Sequence, residues 1–102
     1  IALIDKETPT VLIATHDGVY DKNLGSLQEI KARSGPVLAV AHEEDSKIAG
    51  LADAVFSVPR THELIQPILN VIPLQLFSYH TAVVLGRDVD KPRNLAKSVT
   101  VE

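Results

Sequence analysis

Val37-Leu38-Ala39-Val40-Ala41 is an unbroken apolar run, with Ser34-Gly35-Pro36 before it and His42 after it. A short apolar run without alternation, closed by turn-forming residues, is typical of a strand that is buried on both faces of a sheet. Runs of the same kind occupy residues 11–15 and 54–58. The sequence therefore predicts three buried strands at 11–15, 37–41 and 54–58.

Helices are predicted between these strands, over 22–33 and 46–51. The first has Leu24, Leu27 and Ile30 at helical spacing and ends at the Ser34-Gly35-Pro36 stop. The candidate N-caps are Asp21 or Asn23 for the first helix and Asp45 or Ser46 for the second. Strands that alternate with helices indicate right-handed crossovers. The predicted fold class is therefore α/β, a three-layer parallel sheet with helices on both faces.

The segment 61–86 is the longest predicted helical region. Most of its turns carry apolar residues, so we expect it to be largely buried, with Thr61 as its cap. Pro67 and Pro73 fall inside it, and each removes a backbone donor. The expected arrangement is a short helix, a break near Pro67 and a long helix that continues to Gly86.

Length, charge and cysteine content exclude several classes of protein. The chain has 102 residues, a size for one domain or less, and no cysteine for a disulfide or a thiol nucleophile. Its net charge of −3 argues against a broad nucleic-acid-binding face, and no apolar run suits a membrane helix. Three strands are fewer than a doubly wound sheet usually has, and the chain opens on Ile1 without Met. We therefore expect it to be a piece of a longer protein.

Four local motifs carry polar chemistry, and each also has an ordinary structural explanation. Residues 15–18 (Thr-His-Asp-Gly) follow a strand on the usual ligand side of such sheets, although turn chemistry accounts for them. Residues 62–66 approach the zinc helix H-E-x-x-H, but Gln66 replaces the second histidine. Residues 42–45 (His-Glu-Glu-Asp) suit a solvated loop better than a magnesium site. Tyr79-His80, on the long apolar helix, fits a core or interface histidine.

The end of the chain is the most specific stretch. Residues 88–102 read Asp-Val-Asp-Lys-Pro-Arg-Asn-Leu-Ala-Lys-Ser-Val-Thr-Val-Glu, which resembles the carboxyl terminus of the glutamine–fructose-6-phosphate aminotransferase family, also called glucosamine-6-phosphate synthases. Residues 71–76 and Tyr79-His80 resemble the V-P-L-Q-L-L-A-Y-H helix of that family. Residues 2–5 resemble the stretch that follows its K-H-G-P motif. The resemblance spans essentially the whole chain and is tightest from residue 71 onward.

This resemblance implies an enzyme with a glutaminase domain and two sugar-isomerase (SIS) domains, which makes glucosamine 6-phosphate and glutamate from fructose 6-phosphate and glutamine. Residues 1–86 would be the second half of the second SIS domain, and 87–102 an active-site tail. Lys97 matches the family's lysine that forms a Schiff base with the open-chain sugar, and Ala96 matches a backbone contact to it. From the pattern alone, Lys97 would be a solvated tail residue.

The resemblance also implies what this chain lacks. The family's ring-opening histidine, enolisation glutamate, phosphate cradle and glutaminase cysteine would all lie upstream of Ile1, so we expect the isolated chain to be inactive. The resemblance implies a cytoplasmic protein that uses no cofactor or metal and forms a homodimer through its isomerase domains. Its expected partners are sugar phosphates, and we expect it to bind neither nucleic acid nor a membrane. Two alternatives stay open: an SIS-type regulatory module that senses sugar phosphates, and a purely structural flavodoxin-like module.

Overall fold

The computed structural model describes residues 1–91. The secondary-structure elements are, in chain order, β1 (Thr10–Ile13), α1 (Tyr20–Ala32), β2 (Val37–His42), α2 (Ser46–Leu51), β3 (Ala54–Val58) and α3 (Gln66–Val84). The chain divides into two compact units, one of residues 1–71 and one that starts at Ile72.

The three strands form one parallel sheet in the order β1-β2-β3. In the register, Leu12 lies beside Ala39, and Ala39 lies beside Val55. Paired positions in a parallel sheet point to the same face, so these three residues share one face. The parallel order confirms the arrangement that the repeated strand–helix pattern predicts.

The core of residues 1–71 lies between this face of the sheet and two helices. Leu27 of α1 and Ile48 of α2 are fully buried, and α1 contacts α2 as well as β1 and β2. They pack with the buried Val37, Ala39 and Ala41 of β2. Because β2 is the central strand and carries small residues there, helical side chains can approach it closely.

The edge strand β1 differs from the expectation of burial on both faces. Val11 and Ile13 are 44% and 43% exposed, while Leu12, which points to the other face, packs against the core. On the same face as Ile13, Val40 of the central strand is fully buried. The apolar run at 11–15 therefore predicted the strand correctly and its two-sided burial wrongly, because an edge strand has a neighbour on one side only.

Helix α1 ends at the predicted stop. The Gly35 N–H bonds the Ile30 carbonyl at 3.1 Å, and the Ser34 N–H bonds the Lys31 carbonyl at 2.9 Å, which is a Schellman arrangement. Ser34 rather than Gly35 takes the left-handed conformation, with φ of 62°. Gly35 is needed for space, since a Cβ there would lie 2.5 Å from Ile4 Cγ2.

Helices α1 and α2, which lie between the strands, differ in how their first turns are capped. Helix α1 begins at Tyr20, earlier than predicted, and its N-cap residue Val19 provides no side-chain bond, so Asp21 and Asn23 are not its caps. Helix α2 begins at Ser46 with Asp45 as its cap, as predicted. Asp45 accepts hydrogen bonds from two backbone N–H groups of the first turn.

Helix α3 begins at Gln66, so the predicted cap Thr61 lies outside it. Pro67 occupies the first turn, where its missing N–H has no helical partner to lose. The predicted short helix before Pro67 does not form, since no helix lies between β3 and α3. The helix continues through Pro73 to Val84. It ends in a second Schellman arrangement, in which Gly86 has φ of 65° and the Arg87 N–H bonds the Ala82 carbonyl at 2.8 Å.

The part of α3 that lies in the second unit is apolar but exposed. Leu76 is 54% exposed, Val83 is 52% exposed and Val84 is 84% exposed. The expectation that this helix is largely buried is therefore wrong for this chain, because periodicity identifies an apolar helix but does not supply its packing partner. None of the helices described has the length and apolar character to cross a lipid bilayer.

Candidate functional site

The carboxyl ends of the three parallel strands meet at one edge of the sheet, and the polar segments that follow the strands meet there as well. Thr15 and His16 follow β1, His42 ends β2, and residues 59–61 follow β3. This edge is where open parallel sheets bind their ligands. We call these segments, together with Asp45 and the first turns of α1 and α3, the carboxyl edge.

The Asp45 carboxylate is the centre of one polar cluster on the carboxyl edge. Its Oδ2 accepts a hydrogen bond of 2.7 Å from the Tyr20 hydroxyl and lies 3.0 Å from His16 Nε2. Its Oδ1 accepts bonds of 3.1 Å from the backbone N–H groups of Lys47 and Ile48. One buried carboxylate thus joins the start of α1, the segment after β1 and the start of α2.

These contacts set the ionisation of Asp45 and Tyr20. Burial opposes the charge on Asp45, but hydrogen bonds from the Ile48 N–H, from Tyr20 and from His16 outweigh it and hold the pKa of the carboxyl below its ordinary value. Burial, the hydrogen bond to Asp45 and the negative charge there raise the pKa of Tyr20 to about 12. Tyr20 is therefore a protonated hydrogen-bond donor at neutral pH, and it cannot serve as a base or a nucleophile there.

Two imidazole rings lie at this cluster. The His16 ring stacks on Tyr20 with ring centres 4.1 Å apart, and its centre lies 5.6 Å from that of His42. His42 is 2% exposed, and its Nδ1 has no hydrogen-bond partner among the residues described. The cluster as a whole is suited to holding segments together by hydrogen bonds.

A second polar cluster on the carboxyl edge is built from two buried amides. Gln66 Nε2 donates to the Pro59 carbonyl at 3.2 Å and to Asn70 Oδ1 at 3.0 Å, while Gln66 Oε1 accepts a bond of 2.9 Å from the Thr61 N–H. Asn70 Nδ2 donates to Thr15 Oγ1 at 3.3 Å. We call Thr15, Gln66 and Asn70, with these backbone partners, the amide network.

The zinc-like motif does not form a metal site in the structure. Gln66 uses its amide in the amide network, and His62 Nδ1 accepts a bond of 3.3 Å from the Leu64 N–H. Among residues 1–91, no group of three His, Cys, Asp or Glu side chains is placed to hold a metal ion.

The acidic motif at 42–45 serves local structure. Glu44 lies 3.5 Å from Arg60 in an exposed ion pair, and Asp45 caps α2. The expectation of a solvated loop is therefore wrong for His42 and Asp45, which are buried, and holds only for the exposed Glu43 and Glu44.

The Tyr79-His80 motif is exposed. The two rings make an edge contact with their centres 5.3 Å apart. His80 is therefore not a core histidine of this chain.

The predicted site residues Lys97 and Ala96 lie outside the described residues. Sequence reasoning noticed Thr15, His16 and Asp45 as members of separate motifs, but it did not foresee that Tyr20 and Asp45 would meet. It also missed Asn70, which has no motif of its own. The available signal was the placement of polar residues directly after buried strands, because such residues share one edge in a parallel sheet.

Comparison with known sequences identifies related proteins over the whole chain. The sequence profile of the SIS domain matches residues 1–85. All 102 residues align at 56% identity with a protein of Thermus thermophilus named glutamine–fructose-6-phosphate aminotransferase (isomerizing). Proteins of the same name from Bacteroides thetaiotaomicron and Methanosarcina acetivorans align at 54% and 49% identity. The chain spans only 17% of the length of the first two relatives and 16% of the third.

A solved structure resembles the chain as well. The C-terminal domain of glucosamine-fructose-6-phosphate aminotransferase from Francisella tularensis superimposes with a TM-score of 0.75 at 35% identity. The match covers 89% of this chain and 26% of that one.

Proposed function

The chain belongs to the SIS domain family, and from that premise we propose that it is the carboxyl-terminal part of the isomerase region of an enzyme that makes glucosamine 6-phosphate and glutamate from fructose 6-phosphate and glutamine. The observation that carries the proposal is the alignment of all 102 residues, including the tail, with aminotransferases of that name. Residues 1–86 are the carboxyl-terminal half of an SIS domain, and residues 87–102 are the active-site tail. The match of the SIS profile to residues 1–85 supports this division.

Lys97 is the proposed catalytic residue of this chain. Its free amine adds to the C2 ketone of ring-opened fructose 6-phosphate, the carbonyl oxygen leaves as water, and the imine takes up one proton from the solvent to give an iminium. The positive nitrogen withdraws electrons and makes the C1 proton acidic, which is what an exchange of the carbonyl between C2 and C1 requires. Ala96, the preceding residue, contributes a backbone contact to the sugar.

The rest of the machinery comes from other parts of the longer enzyme. Ring opening, enolisation, phosphate binding and release of ammonia from glutamine need groups that this chain does not contain. The isolated 102-residue chain is therefore expected to be inactive. The family resemblance further implies that the full-length enzyme is a cytoplasmic homodimer, whose subunits contact each other through their isomerase domains. The net charge of −3 argues against a broad nucleic-acid-binding face.

The test is Lys97→Arg in the full-length enzyme, with Lys91→Arg as the matched control. A guanidinium stays protonated and cannot form the imine, so formation of glucosamine 6-phosphate falls by several orders of magnitude while glutamine hydrolysis continues. Borohydride added with fructose 6-phosphate labels the wild type at Lys97 and leaves the variant unlabelled. Near-normal product formation by Lys97→Arg, or a label on another lysine, would refute the covalent role. Binding of fructose 6-phosphate without any product in the wild type would instead favour a regulatory SIS module.

A further inference from the structure

Helix α3 is fixed at its start. Gln66 and Asn70 are each 6% exposed, and both belong to the amide network. Gln66 bonds the Pro59 carbonyl and the Thr61 N–H, in the segment after β3. Asn70 donates to Thr15, which lies 55 residues away along the chain. Each hydrogen bond fixes a direction as well as a distance, so these contacts hold the first two turns of α3 in one orientation.

The second half of the same helix is held by local bonds. Leu76 and Val83 are 54% and 52% exposed. The hydroxyls of Ser78 and Thr81 bond carbonyls four residues back in the same helix, an arrangement that favours helix bending. Segments with few buried contacts and local bonds open at a lower free energy than the core does. Residues 72–84 can therefore move without breaking the core.

Pro73 lies where the two halves of α3 meet. It is inside the helix, and it has no N–H to donate to the Leu69 carbonyl, four residues earlier. Its ring also crowds that carbonyl. Pro67 differs, because a proline in the first turn removes no helical bond. The ladder of helical bonds is therefore interrupted directly beside Asn70, the last residue that the amide network holds.

We propose that residues 69–73 are a joint in α3, about which the second half of the helix bends while the first two turns stay fixed. Residues 72–84 contain no Asp, Glu, Lys or Arg, and an exposed apolar helix of this kind is characteristic of a surface that another surface covers. The joint lets this half change its direction when it is covered. A helix without a joint would transmit the change to Gln66 and Asn70 and strain their hydrogen bonds.

Hydrogen exchange of single amides, followed by NMR spectroscopy, measures the weak bonds at the joint. The amides of residues 74–77 donate across it, and in the wild type they should exchange at least about 10-fold faster than those of residues 70–72. Pro73→Ala supplies the missing donor and should slow the exchange of residues 74–77 by about 10-fold to 100-fold. Pro67→Ala is the matched control, and it should change these rates by less than about 2-fold.

The distance between two spin labels measures the bending itself. The chain has no cysteine, so Gln28→Cys on α1 and Val84→Cys at the end of α3 provide one pair of labels at exposed positions. The wild type should give a broad distribution of distances at a protein concentration too low for self-association. Pro73→Ala should narrow the distribution to about half that width, and Pro67→Ala should leave it broad.

Three results would overturn the joint: equal exchange rates on the two sides of Pro73 in the wild type, a narrow distance distribution in the wild type, or a distribution that stays equally broad in Pro73→Ala. The first two are measured on the wild type, so they decide the matter even if the variant does not fold. Neither measurement uses the sugar reaction. The joint and the proposed function are therefore tested independently, and either can fail without the other.

Discussion

Residues 1–71 and residues 72–84 of α3 use apolar side chains in opposite ways. In the first region Leu27 and Ile48 are fully buried between the sheet and the helices α1 and α2. In the second region Leu76 is 54% exposed, although its helical stretch is richer in large apolar residues. The apolar content of a segment therefore does not show whether its side chains are buried. Burial needs a second surface of matching shape, and large exposed apolar patches are characteristic of surfaces that contact other chains or domains.

The two regions also differ in their polar groups. In residues 1–71 the carboxylate of Asp45 and the amides of Gln66 and Asn70 are buried and hydrogen-bonded. In residues 72–84 the hydroxyls of Ser78 and Thr81 bond back to carbonyls of their own helix. Tertiary hydrogen bonds hold the first region together, whereas these hydroxyls in the second make local bonds only.

The largest expected effect is on the free energy of unfolding, and it appears when one leucine from each region is replaced by alanine. Leu27→Ala should lower the free energy of unfolding by about 2–5 kcal/mol, because it leaves a cavity in a closed core. Leu76→Ala makes the same chemical change at an exposed position, and it should alter the free energy by about 0.5 kcal/mol or less. Urea denaturation followed by far-UV circular dichroism measures both. Equal losses in the two variants would contradict the contrast between the regions.

The next effect concerns the carboxylate that joins α1 to α2. Asp45→Ala removes the cap of α2 and the acceptor of Tyr20, and it should lower the free energy of unfolding by about 1–3 kcal/mol. Asp21→Ala is the matched control, since Asp21 lies in the first turn of α1 without serving as a cap. Its loss should stay below about 1 kcal/mol. If Asp21→Ala lowers the free energy of unfolding as much as Asp45→Ala does, the loss comes from the change in overall charge and not from the hydrogen bonds to Asp45.

The pH dependence of stability isolates the charge on Asp45. Because folding lowers the pKa of Asp45 below its ordinary value of 3.8, its ionisation adds stability that is fully present above 3.8. That stability is lost as the pH falls through the folded-state value. Asp45→Asn cannot ionise but keeps an oxygen that can cap α2. The wild type should therefore exceed the variant in stability by a constant amount near neutral pH and by progressively less below 3.8.

Acid titration of both proteins, followed by urea denaturation at each pH, measures that difference. Lowered pKa values at Asp5 and Asp53 affect both proteins equally and cancel in the comparison. A difference that stays constant down to the most acidic pH would show that the charge of Asp45 adds no stability.

The smallest effect on stability is expected from the exposed face of α3. Replacing Ile72, Leu76 and Val83 together by Gln should change the free energy of unfolding of residues 1–71 by about 0.5 kcal/mol or less, since all three are about half exposed. Self-association at high protein concentration should decrease, because less apolar surface faces water. Sedimentation velocity measures the association. Unfolding of residues 1–71 by this triple change would show that the three side chains take part in the core.

Local patterns are sufficient to predict most of the secondary structure. The run at 37–41 predicts β2, the Ser34-Gly35-Pro36 stop predicts the end of α1, and Asp45 is a predicted cap of α2. Such features depend on neighbours within a few residues, where steric restriction and hydrogen bonding act without help from the rest of the chain. The start of α1 is predicted less well, because Val19 at its N-cap carries no recognisable signal.

The family resemblance likewise comes from the order of residues alone. The stretch at 88–102 indicates by itself the resemblance to glutamine–fructose-6-phosphate aminotransferases, and the alignment of all 102 residues with proteins of that name confirms this resemblance. The SIS profile matches residues 1–85. The roles assigned to Lys97 and Ala96 stay predictions, because both residues lie outside the described part of the chain.

The sequence alone thus determined the strands, the extent of α2, the end of α1 and the family resemblance. The partners of the polar side chains, and the burial of each apolar one, were decided by the tertiary structure. Tyr20 reaches Asp45 across 25 residues, and Asn70 reaches Thr15 across 55. Nothing in the spacing of these residues predicts their contact, because the direction of each strand and the crossing of each helix must first bring them to one edge. The exposure of the apolar residues of α3 in 72–84 has a similar reason. Hydrophobicity favours the burial of apolar side chains in general, but which surface buries them depends on shape complementarity.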